Sequence, residues 1–286
     1  MTGFNSVPVR SLGSGIGLSF KADFYDAVMS LEPSAFWFEV HTENYCAVGG
    51  PRRRMLAEIA ERFAVSLHGV AGSLGNSSHD PHAHLKQVNQ LVRQINPALV
   101  SEHVAWSMSD HEYFADLLPI KRTQQALQTL VNNIDRYQNA VGRQILIENP
   151  THYVDLLHDC AEPEFMLEVT QRSGCGLLMD LTNLYLSQIN CGIDAGQYIR
   201  KIPANAVGEL HVAGFEPDVG VHGLLIDSHS QPVPDAIKDL LSLAYQQWGD
   251  KPTLLERDAN LPAFSELQQE AQQLLDIKED TVHAIA

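Results

Sequence analysis

A chain of 286 residues, 44% hydrophobic and 19% charged, has apolar material for one large core or two modest ones, which excludes a globally disordered, collagenous or coiled-coil protein. With 19 Lys and Arg against 35 Asp and Glu, the formal net charge of -16 makes the surface as a whole repel phosphate backbones and anionic lipid, so general nucleic-acid binding is not expected. No run approaches the roughly 20 apolar residues of a membrane span, and the N-terminus lacks the charged-then-apolar layout of a signal peptide. Cys46, Cys160, Cys175 and Cys191 are irregularly spaced without a Cys-x-x-Cys pair, so they read as reduced thiols of a cytoplasmic protein rather than a zinc ribbon or disulfide scaffold.

Short runs rich in Val, Ile, Leu and Phe alternate with longer amphipathic stretches along the whole chain. In order, the predicted strands are Ile16 to Phe20, Phe36 to His41, Val65 to Gly69, Leu99 to Trp106, Ile145 to Pro150, Gly176 to Leu181, Val207 to Phe215 and Thr253 to Asp258. The predicted helices after them are Asp23 to Glu32, Arg52 to Arg62, His84 to Ile95, Pro119 to Val141, Pro163 to Arg172, Ala195 to Lys201, Val233 to Trp248 and Pro262 to Asp276. Continuous apolar runs separated by helices are what a parallel sheet buried on both faces requires. Eight such units predict an α/β protein with a single (β/α)8 TIM barrel, one domain over 1–286 with a short lead-in at 1–14 and a frayed tail at 277–286. A doubly wound sheet would need a glycine-rich phosphate turn after its first strand, whereas Gly13-Ser14-Gly15-Ile16-Gly17 precedes that strand.

The chemistry lies in what closes each run. His41, His68, Glu102 with His103, Glu148 with Asn149, Asp180 with Asn183, His211, and Glu256 with Asp258 stand at successive strand ends, and Asp227 and His229 fall between the last two strands. In a barrel these ends converge on one face, where so many carboxylates without cations would repel one another. Mixed imidazole and carboxylate ligands around two or three iron, manganese or zinc ions relieve that repulsion, and no strand-end cysteine points to a soft thiolate site. The candidate ligands are His68, His103, Glu148, Asp180, Asn183, His211, Asp227, His229 and Glu256, too many for one ion. His79-Asp80-Pro81-His82-Ala83-His84 reads as a loop entering a helix, with Asp80 as cap, and Arg52-Arg53-Arg54 as a solvated helix face. Cys46 has no nucleophile signature, but it lies close to Asn44.

The ordered segments Phe38-Glu39-Val40-His41-Thr42-Glu43-Asn44-Tyr45, Ser66-Leu67-His68-Gly69-Val70, Ser101-Glu102-His103, Ile147-Glu148-Asn149-Pro150, Asp180-Leu181-Thr182-Asn183, Leu210-His211-Val212-Ala213-Gly214 and Asp227-Ser228-His229 resemble the multinuclear non-haem iron-dependent oxidases, the relatives of the methanobactin biosynthesis iron enzyme. The resemblance spans about Gly15 to Pro262. It implies a xylose-isomerase-like TIM barrel that uses two or three irons in mixed-valence Fe(II)/Fe(III) form, with O2 as co-substrate, to modify cysteine residues of a ribosomally made precursor peptide. Carried over by motif, it implies one iron on Glu148, Asp180, His211 and Glu256, a second on His68, His103 and Glu148, and a third on Asn183, Asp227 and His229. Glu148 would bridge, and Asp180 and Glu148 would be essential for turnover. His41, Glu43 and Asn44 are candidates to orient substrate or move protons, with a structural role in the loop as the alternative.

The resemblance further implies a heterodimer with a separate peptide-recognition protein, and the sequence has no peptide-binding module of its own. Contacts are expected at Cys46 to Arg54 and Glu216 to Leu224, and the acidic balance points to a basic leader or partner surface. The rival is a zinc- or manganese-dependent hydrolase or isomerase on the same barrel. The acidic charge disfavours a DNA substrate, and no lysine stands at a predicted strand end as sugar isomerases usually need.

Overall fold

The computed structural model describes residues 11–13, 15–33, 36–77, 81–108, 112–156 and 158–285. Strand β1 (Ile16–Ser19) is followed by the short helix α1 (Tyr25–Met29), β2 (Trp37–His41) by α2 (Gly50–Arg62), and β3 (Val65–Gly69) by α3 (His82–Ile95). After β4 (Leu99–His103) come the hairpin β5 (Trp106–Met108) and β6 (Tyr113–Leu118) and then α4 (Gln124–Val141). Strand β7 (Leu146–Glu148) leads to α5 (Glu162–Ser173), and β8 (Gly176–Asp180) to α6 (Leu181–Cys191) and α7 (Ala195–Lys201). Strand β9 (Val207–Ala213) is followed by the hairpin β10 (Glu216–Pro217) and β11 (Leu225–Ile226) and by α8 (Asp235–Trp248); β12 (Thr253–Glu256) precedes α9 (Phe264–Ile285).

The barrel closes in the order β1-β12-β9-β8-β7-β4-β3-β2, every pairing parallel. The expected TIM barrel is therefore present. Side chains that alternate along each strand divide the core into two parts. Phe38, Val40, Leu67, Val100, Ile147, Leu177, Met179, Leu210, Val212 and Leu255 join the helices in the large apolar cluster. Trp37 and Leu254 pack with Leu12 in a separate small cluster. Gly17 makes room for the Trp37 ring, because a Cβ there would lie 2.4 Å from it. Two residues further along these strands come Glu39 and Glu256, so the polar layer lies toward the carboxyl ends.

Several boundaries differ from the sequence reading, each for a local reason. The apolar run from Leu99 does not continue as one strand: β4 stops at His103, and Trp106 opens a hairpin, with its indole donating to the Pro119 carbonyl at 3.1 Å. Helix α4 therefore begins at Gln124, where the Thr123 hydroxyl accepts the Ala126 amide at 3.2 Å. Helix α6 was hidden because its N-cap is Asp180, a residue that reads equally well as a strand end. The tail expected to fray from Ile277 is the end of α9: Lys278, four residues after buried Leu274, is itself buried, donates to the Lys251 carbonyl at 3.1 Å and pairs with Asp250 at 2.6 Å. The Asp80 cap falls outside the described residues.

Candidate metal centre

Parallel register brings the strand ends side by side: His41 pairs with His68, His68 with Ser101, His103 with Glu148 and Asp180 with His211. Around them is a cavity of about 240 Å³ lined by His41, His68, His103, Glu148, Asn183, Asp227, His229 and Glu256, with Asp116, Thr151, Tyr153 and Asp258 toward its rim. Residues from five barrel strands thus line it, and the register sets Asp180 and His211, from two more, next to one another.

Glu148 is at the middle. Its Oε2 lies 3.1 Å from His68 Nε2 and 3.0 Å from His103 Nε2, and its Oε1 accepts the Asn183 amide at 3.1 Å. His103 donates through Nδ1 to the Gly69 carbonyl at 2.9 Å, which turns the Nε2 lone pair toward the carboxylate. Burial holds His103 below its ordinary pKa, so a proton is not the favoured cation between these two atoms. Ligand atoms sharing one ion at ordinary bond lengths are separated by about 3 Å, the spacing seen here. His68 is steadied on the other side by Ser101 Oγ, 2.7 Å from its Nδ1.

A second group centres on His211, whose Nδ1 lies 3.1 Å from Glu256 Oε2. Ligand atoms of Asp180, His229 and Glu256 lie within 4.8 Å of one another, as do those of His68, Glu148 and His211. Asp180 has two tasks: Oδ1 accepts the Asn183 amide at 2.7 Å and caps α6, while Oδ2 is buried without a hydrogen-bond partner among the described residues. Burial, reinforced by Glu148 and Asp227, raises the Asp180 pKa well above the carboxylate range. Asp227 and His229 form the outer group, with Oδ1 and Nε2 2.8 Å apart.

The fit to metal rests on atoms that approach closely but are not hydrogen bonded. Glu148 Oε2, Asp180 Oδ2, Asp227 Oδ1, His211 Nδ1, His229 Nε2 and Glu256 Oε2 are all buried and lack a hydrogen-bond partner among the described residues. Buried polar atoms are ordinarily paired; here burial opposes a charge on His68, His211 and His229, but the carboxylates outweigh it and raise the pKa of each, so each close approach favours a cation, a proton or a metal ion in its place. The donor set is imidazole and carboxylate, which suits iron, manganese or zinc.

The sequence-predicted residues are not all placed alike. His41 lines the cavity, with Nε2 3.6 Å from Asp258 Oδ2. Glu43 instead accepts the Val70 and Ala71 amides at 3.1 Å each, so it holds the turn after β3, and Asn44 is exposed outside the lining. Asn183 donates to Glu148 and to the Asn149 carbonyl and accepts from Thr151 Oγ1, which also lies 3.2 Å from Asp227 Oδ2; it links the middle and outer groups. Cys46 is buried and its thiol pKa is pushed up to about 11 by burial, which leaves it inert at neutral pH. Arg53 is not solvated: its guanidinium donates to the carbonyls of Tyr45, Cys46 and Ala47 at 3.1 to 3.3 Å and fixes the β2 loop.

Four residues near the site escaped the ligand set. Glu39 accepts from Ser66 Oγ at 2.8 Å and lies 3.3 Å from His211 Nε2, and Glu209 lies 3.8 Å from the same nitrogen. Burial and the Glu39 charge push the Glu209 pKa up to about 7. Their signal was the inward alternation, since each precedes a strand-end histidine by two residues. Asp258 meets His229 and His41, and Lys21, just past β1, pairs with Asp258. A lysine therefore does reach the site, contrary to the sequence reading, because closure of the barrel places β1 beside β12.

The outer group depends on a close crossing of backbones. A Cβ on Gly214 would lie 2.0 Å from the Gln231 carbonyl oxygen, so only glycine lets the segment carrying Asp227 and His229 approach β9. Gly214→Ala is expected to displace that segment, lower the melting temperature by an amount equivalent to about 1–3 kcal/mol, and weaken metal retention. Thermal melts and metal analysis of the variant check both effects.

The fold and the cluster together define a xylose-isomerase-like TIM barrel with a dense histidine and carboxylate centre at its carboxyl face. Solved structures of this architecture cover most of the chain at low identity. D-psicose 3-epimerase in the presence of D-fructose matches with a TM-score of 0.61 at 12% identity, covering 94% of this chain and 99% of its own. The IOLI protein with a zinc atom matches at 0.60 and 12%, covering 95% and 99%. A xylose isomerase-like TIM barrel protein from Mycobacterium smegmatis in complex with magnesium matches at 0.59 and 13%, covering 97% and 100%. The family described as RiPP precursor modification enzyme MbnB/TglH/ChrH matches residues 15–279, and the chain belongs to that family. Among its relatives, the UPF0276 protein of Caulobacter sp. (strain K31) is 43% identical over 255 residues, covering 89% of this chain and 92% of its own. The UPF0276 protein of Bordetella parapertussis is 42% identical over 267 residues, covering 92% of each.

Proposed function

We propose that this chain is a multinuclear, O2-using iron oxidase that modifies cysteine residues of a ribosomally synthesised precursor peptide in the cytoplasm, together with a separate peptide-recognition protein. The observation that carries the reading is the close approach of buried ligand atoms without a hydrogen-bond partner, those of Glu148, Asp227, His229 and Glu256 lining one cavity and those of Asp180 and His211 grouped with them, within a family of precursor-peptide modification enzymes. Glu148, Asp180, His211 and Glu256 would hold one iron, and His68, His103 and Glu148 a second. Asp227 and His229, with Asn183, would hold a third. When bound, the irons supply Lewis acidity toward a thiolate and electron exchange with O2.

The chain's own groups supply the rest. Burial lowers the pKa of His41 against the opposing pull of Asp258, so the imidazole is neutral at neutral pH and available to take a proton at the cavity mouth. Asn183 and Thr151 tie the middle and outer ligand groups, which keeps Glu148 and Asp227 in fixed relation. A cavity of about 240 Å³ admits a side chain, not a folded peptide, so the peptide backbone would cross the rim. Tyr153 lines the cavity, and Val48, Tyr113, Phe114, Val154, Val219 and Val221 are exposed apolar residues in connections that follow barrel strands, which supports a surface for peptide and partner beyond the cavity. Among the described residues, no helix is long and apolar enough to cross a membrane.

The test is metal analysis and oxygen uptake on protein isolated anaerobically from iron-supplied cells, with the cysteine-containing peptide encoded beside its gene. Two or more irons per chain and peptide-dependent oxygen uptake, raised strongly by the neighbouring partner protein, are expected. One metal or none, or zinc-dependent action on abasic DNA or a sugar without oxygen uptake, would overturn the reading.

A further inference from the structure

Asp258, at the rim, is held at both its backbone and its side chain. Its backbone amide donates to the His229 carbonyl at 2.9 Å, its Oδ2 accepts from His229 Nδ1 at 3.3 Å, and its Oδ1 is held by the Lys21 ammonium. His229 has a φ of 47°, a left-handed conformation uncommon outside glycine. The Ala259 amide, 3.4 Å from the same carbonyl, adds to the hold on this residue. Gripped at carbonyl and ring, the imidazole presents Nε2 to Asp227 Oδ1 at 2.8 Å, and both atoms lack a hydrogen-bond partner among the described residues.

Ligand atoms of Asp258, His41 and Glu256 also lie within 4.8 Å of one another, but the contact of Asp258 with Lys21 favours its action through His229. The Lys21 ammonium already meets the carboxylate charge, so the aspartate is neutralised at Oδ1 and retains Oδ2 for the imidazole N–H. The two partners are 237 positions apart and meet because β1 and β12 close the barrel. A histidine that donates one ring N–H to a carboxylate is fixed in tautomer and orientation and made a more basic ligand through the other nitrogen.

We infer that Asp258, clamped by Lys21, is the positioning residue that aims His229 Nε2 with Asp227 at the outer metal position, and so governs the occupancy of that ion independently of the inner ones. The inference rests on the proposed metal function, and the experiment separates the two. Crystals of wild type, Asp258→Ala, Asp258→Asn and Lys21→Met would be soaked anaerobically in Fe(II), with iron anomalous density recorded at each position and affinity measured by chelator competition. Asp258→Ala is expected to lose density at Asp227 and His229, with affinity there weakened about 10–100-fold, while the positions around Glu148 and Glu256 remain filled. Asp258→Asn keeps an acceptor for Nδ1 and is expected to restore much of the occupancy. Lys21→Met, which leaves Asp258 in place but unclamped, is expected to weaken the outer position to a smaller degree and serves if the alanine variant fails to fold. Wild type with no iron at any position overturns the metal function itself. Iron at the inner positions but never at His229, or equal occupancy at His229 in wild type and all variants, overturns this inference alone.

Discussion

Asp180→Ala will abolish turnover and lower the metal content. Asp180 Oδ2 is buried without a hydrogen-bond partner and grouped with His229 and Glu256, and the pKa of the carboxyl is raised by burial and by neighbouring acids that a cation would neutralise. On the proposed function, alanine removes a metal ligand, so the loss should exceed the roughly 10–100-fold that changes to the partners of ligands cost. The same carboxylate caps α6, so alanine also costs about 1 kcal/mol of stability. Asp180→Asn separates these effects: the amide oxygen still accepts the Asn183 N–H, so the cap and melting temperature should survive while iron and activity do not. Full activity in either variant would contradict the assignment.

Raising the pH will destabilise the metal-free chain while strengthening metal uptake. Burial opposes a charge on His68, but Glu39 and Glu148 outweigh it and raise its pKa to about 10. A group raised from about 6.5 to about 10 adds stability that is complete below the lower value and is lost as pH rises through the higher one. Burial likewise opposes a charge on Glu148, but His103 and His68 hold its pKa down at about 2. That contribution is present above about 4.5 and is lost as pH falls toward 2. In the loaded protein an ion replaces the His68 proton, so the alkaline loss disappears, and each proton displaced on binding improves affinity by about tenfold per pH unit. Melting metal-free and iron-loaded protein under argon at about pH 6 and about pH 9 compares the two states. The metal-free chain should melt lower at the higher pH and the loaded chain should hold. A metal-free melting temperature that rises between these pH values would refute the account.

The sequence by itself determined the barrel and which polar residues gather at its carboxyl end, because both are written in local pattern. A buried parallel strand must be apolar for its length and must be followed by a helix, so runs such as Val65–Gly69 and Gly176–Asp180 announce themselves, and the polar residues that end them stand out against the run. His68, His103, Glu148, Asp180, His211 and Glu256 were legible for that reason. What only tertiary structure decided was where side chains point once a strand has ended. Glu43 and Asp258 both lie just beyond strand ends, yet Glu43 holds the backbone at 70–71 while Asp258 turns to His229. Loops follow no period that fixes direction, and their hydrogen bonds go to whichever element the barrel brings near. Asp180 could not reveal in sequence that it caps a helix as well as approaching His229 and Glu256, because the same short carboxylate serves both. The meeting of Lys21 with Asp258, and the approach of Gln231 to Gly214 that sets Asp227 and His229 in place, arise from closure of the ring, a long-range event that no local spacing encodes.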